Sequence, residues 1–595
     1  MPIAHHRYHL VGPVLVRAST FPEHPLPPPP DPTATIEQAW AWLAAAWADP
    51  ILQEAVTLAT PDLAARMRRL VDAPGEASER NIRRAVAAIT TYLMRWQRRA
   101  TPFGLFAGVT TATVGAAAAS FGENHRSAIR ADADWLAQIV DKLDQDHELR
   151  RRLTVVADNS MVVRGGRVFV TQRPQPGPEK PGPVRETSTR CTRVVAAALR
   201  AATHPIGFED LLARLCSDLH ADRASVEALL HGLVDGRFLI TGLRPPSTAV
   251  DGLSHVLHTL EAAGVEDIPR VAPTATRLNR VHTLLTQHNT ATDVAAQAGL
   301  RRSATELMSN LATTTTHPLA ADVRLDAEVR VSTEVLDEVA RAAEVLLRLT
   351  SQPFGPQAWL DYHVRFRNRY GPGALVPVRE LLADSGLGYP HGYLGTPAAR
   401  PVWRTVTQRD VHLLRLVQQA MLDGTDEIRL SATDIAALTV GNHTSVMPPE
   451  RIELGVTVHA CSALALDRGD FELRIIGAPR TPTSMIGRFV YLLDASDRDR
   501  VAQTYTTVAE ADGGAVTAQL SFPPRRIHNG NVTSTGRLQP QTVSIAEHPD
   551  GDGTSLDDLA VTADAEQLYL ERSATGSLPS RHESPQHHPA TPPHF

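Results

Sequence analysis

From Ser78 to Arg99 the apolar residues Ile82, Val86, Ile89, Leu93 and Trp96 recur every three or four positions and line one stripe. The spacing predicts a helix over 78–99. It must end there, because Pro102 drives Thr101 out of the helical region. Arg95 and Arg99 lie four apart and share a face beside the stripe. Beyond the break, Phe103 and Phe106 anchor a turn, and Gly104 and Gly108 let backbone approach closely. A stripe this long needs a second layer to cover it, so the region must belong to a packed core. The arginines have two readings. They satisfy the last carbonyls of the helix, or they offer two guanidinium forks to a phosphate or carboxylate.

The chain of 595 residues is too long for one core and predicts several domains. Its net charge of −6 excludes a uniformly basic nucleic-acid binder. Lys142 and Lys180 are the only lysines among 59 basic residues, so an arginine alone says little about phosphate. Local excess says more: residues 61–110 hold nine Arg against four Asp or Glu. Cys191, Cys216 and Cys461 are too few and too far apart for a disulfide framework or a zinc motif. The first ten residues lack the apolar run of a signal peptide, and no stretch reaches membrane-spanning length. The expectation is a cytoplasmic protein without membrane insertion.

Along the chain, Pro27–Pro30 reads as a stiff linker and 35–48 as a helix carrying Trp40, Trp42 and Trp47, stopped by Asp49-Pro50. Another helix follows Pro61. Gly165-Gly166 between two valine-rich runs signals a hairpin. Pro174–Pro183 reads as a loop. Three short helices then span 190–202, 208–219 and 223–234, and Asp235-Gly236 turns the chain into a strand over 237–241. Hairpin, three helices and closing strand make a winged helix-turn-helix pattern. A helix is expected over 333–349, after a strand end at 323–326. From 429 to 561 the chain reads as β-rich, with Phe489–Leu493 as a strand. Residues 577–595 have a disordered composition. The fold class is α+β, a multidomain mixed α/β chain divided at 1–152, 153–245, 246–575 and 576–595.

Familiar catalytic motifs are missing: no phosphate loop with a lysine, no His-Glu-x-x-His, no serine elbow. Asp550, Asp552 and Gly553 lack the rest of a calcium loop, and His587, His588 and His594 sit in the tail. Asp132-Ala133-Asp134 before Trp135 fits a helix start better than a metal site. No metal is expected.

The run Arg99-Ala100-Thr101-Pro102-Phe103-Gly104-Leu105-Phe106-Ala107-Gly108 resembles a signature of the glutamylating, N-terminal half of class I lantibiotic dehydratases. Further pieces occur in the family's order: Leu15-Val16-Arg17, Asp132-Ala133-Asp134-Trp135-Leu136, Phe366-Arg367-Asn368-Arg369-Tyr370-Gly371, Gly487-Arg488-Phe489 and Leu556-Asp557-Asp558-Leu559. The resemblance covers roughly residues 8–580. It implies transfer of glutamate from glutamyl-tRNA, as co-substrate and with no bound cofactor, to Ser and Thr of a precursor peptide. It places catalytic roles on Arg95, Arg99, Thr101 and Asp132 and substrate binding on Arg17, Asp326 and Arg488. The winged segment resembles the leader-peptide recognition element, where a peptide adds a strand.

Implied partners are the precursor peptide, glutamyl-tRNA, a separate elimination-domain protein, a cyclase and a second copy in a homodimer. The chain stops where the family's glutamylation domain continues, which implies a shortened member or one completed by another chain. Related peptide aminoacyl-tRNA ligases, which extend a peptide C-terminus, and a non-catalytic leader-binding scaffold are the alternatives. A DNA-reading role fits poorly, since residues 187–244 hold seven Arg and six acidic residues.

Overall fold

A computed structural model describes residues 7–21, 27–31, 33–73, 78–170, 186–312, 318–383, 385–393, 406–441, 449–479, 483–507, 516–549, 551 and 553–572. The Pro174–Pro183 loop, the tail 576–595 with its histidines, and Asp550 and Asp552 lie outside the described residues.

The first strand, β1 (Val14–Ser19), leads to four helices. Thr35 opens α1 (Ile36–Trp47) with a reciprocal capping box to Gln38. Asp49-Pro50 does stop this helix, but it also starts another. The Asp49 side chain accepts the Leu52 N–H and Pro50 takes the first helical position of α2 (Pro50–Ala59). Next come α3 (Pro61–Asp72) and α4 (Glu79–Arg98). Ile82, Ile89, Leu93 and Trp96 of the predicted stripe are buried, together with Trp42, Trp47, Met67 and Phe106, in one core.

Behind them stands a six-stranded sheet. β2 (Ala107–Val114) pairs antiparallel with β1, with Arg17 opposite Val109. Strands Leu319–Arg324 and Ala327–Val331 run parallel to β2, and β3 (Ala118–Phe121) and β4 (Arg126–Ala131) flank them. Side chains alternate along strands and opposed residues share a face. One face therefore carries Leu15, Arg17, Ser19, Val109, Arg130, Asp322 and Arg324. Ile129 on the other face joins a helical core with α5 (Ala133–Leu143) and helices Gly252–Ala262, Ala272–Thr290 and Val294–Ser309.

After α6 (His147–Arg152) comes a unit with its own core. β5 (Thr154–Ala157), β6 (Val162–Arg164), β7 (Arg167–Val170) and β8 (Thr187–Arg190) precede α7 (Arg193–Ala201), β9 (Ile206–Gly207), α8 (Phe208–Leu219), α9 (Arg223–Asp235) and β10 (Leu239–Thr241). The strands form two three-stranded sheets, β10-β5-β9 and β6-β7-β8. The hairpin turn uses positive φ at both Gly165 and Gly166, as a two-residue loop requires. The closing strand starts two residues later than predicted because Arg237 itself takes φ 59° to turn the chain.

Helix Thr333–Leu349 forms as expected. The region after 429 is mixed rather than β-rich, since Asp494 caps an unforeseen helix, Ala495–Thr506. Phe489–Leu493 is not a strand: Gly487–Leu492 is a 3-10 helix. The segment lies on the sheet's face, packing Phe489 and Leu492 against Val109. Lying on the face rather than along an edge, it bonds internally, Phe489 N–H to Ile486 O at 2.9 Å and Leu493 N–H to Val490 O at 3.1 Å.

Candidate functional site

The end of α4 presents an arginine cluster. Arg95 lies over the ring of Phe103, 4.5 Å from its centroid. Phe103 stacks on Phe106 at 6.1 Å, and Phe106 meets Trp96 edge-on at 5.5 Å. The turn after the helix is thus an aromatic wedge, with Gly104 at φ 54°, that holds one guanidinium in place. Arg98, Arg99 and Thr101 are exposed. Among the described residues no carboxylate pairs with Arg95, Arg98 or Arg99.

A second cluster lies on the sheet face. Asp322, 2% exposed, accepts from Arg488 through Oδ1, and from Arg130 at 3.3 Å and the Tyr491 hydroxyl at 2.8 Å through Oδ2. Arg17 donates to the Met485 carbonyl at 2.8 Å. Its guanidinium and that of Arg488 lie 5.4 and 4.9 Å from the Phe489 centroid. Burial, and then the neighbouring charge of Arg488, push the Arg17 guanidinium down. Burial alone would lower Arg130 as well, but Tyr491 and Asp322 more than offset it. The Tyr491 phenol is pushed up by burial and by Asp322.

Strand β1 ties the clusters together. Ser19, on the same face as Arg17, donates to the Trp96 carbonyl within the last turn of α4. Thr20 accepts from the Trp96 indole at 3.0 Å and donates to the Leu105 carbonyl at 2.5 Å. Arg17 and Ser19 are about 7 Å apart at the strand rise.

The remaining expected residues are placed as follows. Asp132 caps α5, accepting the Asp134 and Trp135 N–H groups through Oδ1 and the Asn531 amide at 2.6 Å through Oδ2. The Asn531 carbonyl in turn accepts from Arg130 at 2.6 Å, which joins Asp132 to the edge of the sheet cluster. Asp132 makes no salt bridge to Arg95 or Arg99. Burial, then Asp132, push the neighbouring Asp134 carboxyl up. Asp326 is not in the cluster. Its side chain accepts the Asn124 N–H at 3.1 Å in the β3–β4 turn, where a Cβ on Gly122 would come within 2.1 Å of the carboxylate. The carboxylate between the arginines is Asp322, four residues upstream.

Sequence reading missed Arg130, Asp322, Tyr491 and Asn531. Arg130 precedes Asp132 by two positions, and Tyr491 follows Arg488 by three, the spacing that aligns side chains in a 3-10 turn. These were the available signals. Among the described residues, no three His, Cys, Asp or Glu side chains gather as a metal site, and no helix is long and apolar enough to cross a membrane.

Among solved structures, the chain is similar to the tRNA dependent lantibiotic dehydratase MibB from Microbispora sp. 107891. The two are 29% identical with a TM-score of 0.82, over 95% of this chain and 54% of that one. The glutamylation domain of TbtB, from thiomuracin biosynthesis, shares the fold at 18% identity and a TM-score of 0.56, over 90% of this chain and 66% of that one. Curated relatives include the subtilin biosynthesis protein SpaB of Bacillus subtilis, 24% identical over 58% of this chain and 33% of its own length. The epidermin biosynthesis protein EpiB of Staphylococcus epidermidis is 21% identical over 53% of this chain and 31% of its own length. The chain thus spans about a third of those curated relatives and about half of MibB. The family model described as "Lantibiotic dehydratase, N terminus" matches residues 48–580. With nearly the whole chain matched, the protein belongs to the lantibiotic dehydratase N-terminal family.

Proposed function

We propose that this chain glutamylates Ser and Thr side chains of a ribosomally made precursor peptide, using glutamyl-tRNA, in the cytoplasm. One observation carries the reading. An arginine face with no carboxylate partner among the described residues, at the end of α4, is tied by Ser19 and Thr20 to the strand that presents Arg17 beside Arg488. Unneutralised guanidinium groups at a rigid helix end suit the phosphates of a tRNA end. Arg95 and Arg99 take that role, with the Thr101 hydroxyl beside them.

The reaction joins the peptide hydroxyl oxygen to the glutamyl carbonyl carbon and breaks that carbon's ester bond to the terminal ribose. The hydroxyl proton passes to the departing ribose oxygen. Negative charge builds on the carbonyl oxygen between these events. Arg17, prefixed against Phe489, stabilises that charge without reorganising, while Arg488, held by Asp322, packs on the same ring. Asp132 spends both oxygens on the start of α5 and on Asn531. Its role in this reading is to hold that corner rather than to take the proton. Asp326 likewise holds a turn. The 153–245 unit takes the leader region of the peptide, which adds a strand at an edge of the β6-β7-β8 sheet.

The test incubates the chain with precursor peptide, tRNA, glutamyl-tRNA synthetase, glutamate and ATP, and follows peptide mass. Glutamyl adducts mapped to Ser or Thr are the expected result. A residue added at the peptide C-terminus, or no adduct with leader binding retained, rejects it.

A further inference from the structure

Glu453 belongs to none of the residues assigned above, yet its carboxylate makes three hydrogen bonds that converge on the site. Oε1 accepts the Thr483 N–H at 2.8 Å and the Tyr505 hydroxyl at 2.5 Å, and Oε2 accepts the Met485 N–H at 2.7 Å. The carbonyl of that same Met485 accepts from Arg17. Two residues further on, the chain enters the 3-10 helix with Arg488 and Phe489. The start of this helix is tightly seated, since a Cβ on Gly487 would come within 2.9 Å of Thr535. Thr483 sits at φ 69°, a conformation a β-branched residue adopts only when its surroundings impose it. Here the Glu453 carboxylate holds its N–H. Tyr505 reaches it from helix Ala495–Thr506 and fixes its orientation.

We propose that Glu453 is a positioning residue for Arg17: it holds the 483–485 turn, and through the Met485 carbonyl it sets the guanidinium of Arg17. The inference rests on the reading that Arg17 meets the glutamyl end of the co-substrate. A carboxylate suits the task because only an acceptor at both oxygens takes two backbone N–H groups and a hydroxyl at once. In E453Q one oxygen becomes an NH2 group, a donor facing the Met485 N–H, so that anchor is lost at nearly constant shape.

The experiment measures binding of 5′-phosphodesmethylglutamycin, the compound bound to TbtB in a solved structure, to the full chain. The variants are E453Q, E453A, Y505F, R17A and the E453Q/R17A double. E453Q is expected to weaken binding about tenfold, the scale of one misplaced charge-assisted hydrogen bond, and Y505F less. In the R17A background E453Q is expected to add nothing beyond about twofold, because its effect passes through Arg17. Multiplying losses in the double variant, or an E453Q chain that binds like the parent while R17A does not, overturns the proposal. If E453A fails to fold, E453Q and Y505F still decide it. Binding unchanged in R17A removes Arg17 itself, and so rejects the underlying reading rather than the Glu453 contacts. Hydrogen exchange over 483–489, faster in E453Q and unchanged in R17A, reports those contacts separately.

Discussion

The two arginine clusters use one residue type for opposite ends. On the sheet face, Arg130 and Arg488 share the buried carboxylate of Asp322, which holds both groups and offsets one of their two charges. At the end of α4, Arg95 rests on an aromatic ring and Arg98 and Arg99 face solvent, with no described carboxylate beside them. A neutralised guanidinium positions protein groups. An unneutralised one keeps its field for a ligand that arrives with negative charge. In an acidic protein rich in arginine, what surrounds each arginine, rather than its presence, separates scaffold from site.

Removing the shared carboxylate breaks the sheet-face cluster outright. Asp322→Ala leaves Arg130 and Arg488 facing each other around an empty buried position, and is expected to cost about 3–5 kcal/mol in denaturant unfolding. A cost below about 1 kcal/mol would mean that water already shields these charges.

A buried arginine outside both clusters sharpens the contrast through pH. Arg301 is buried and paired with Glu54 at 2.8 Å, and it also donates to His288 Nε2 at 2.9 Å, so that imidazole must be neutral. Burial pushes His288 down to about 4. The unfolded chain, titrating near 6.5, binds the proton more readily, so stability is whole above 6.5 and falls as pH drops from 6.5 towards 4. The full loss is roughly 3 kcal/mol. A titration of unfolding free energy that is flat across this window in the parent, or equally steep in His288→Gln, would contradict the assignment.

The α4 cluster should behave in the opposite sense. Arg95→Ala and Arg99→Ala are each expected to lower tRNA affinity about tenfold, and to flatten its salt dependence by about one unit of slope. Unfolding should shift by less than about 1 kcal/mol, and leader-peptide binding should not change. Loss of peptide and tRNA binding together, through unfolding, would place these arginines with the scaffold instead. The smallest effect concerns the wedge. Phe103→Leu keeps an apolar anchor but removes the ring under Arg95, and is expected to cost about 0.5–1 kcal/mol of tRNA binding. An equal loss in the Arg95→Ala background would show that the ring acts independently of the guanidinium.

The sequence alone determined what is encoded locally. The α4 stripe, its stop before Pro102, the Gly165-Gly166 turn, α8 and helix Thr333–Leu349 follow from side-chain period, proline sterics and glycine at positive φ. All of these act within a few residues. The family was legible for a related reason, since its signature lies in one short run around that stop. Tertiary structure decided the rest. Arg17 and Arg488 share one ring although 471 positions separate them, and that follows from the pairing of β1 with β2 and from the sheet face on which Gly487–Leu492 lies. The same placement turned an apolar run that reads as a strand into a 3-10 helix, which packs its rings on the sheet face and bonds within itself. It also put Asp322, not Asp326, between the arginines: strand Leu319–Arg324 ends before Asp326, which falls in the turn to Ala327–Val331 and accepts the Asn124 N–H there instead.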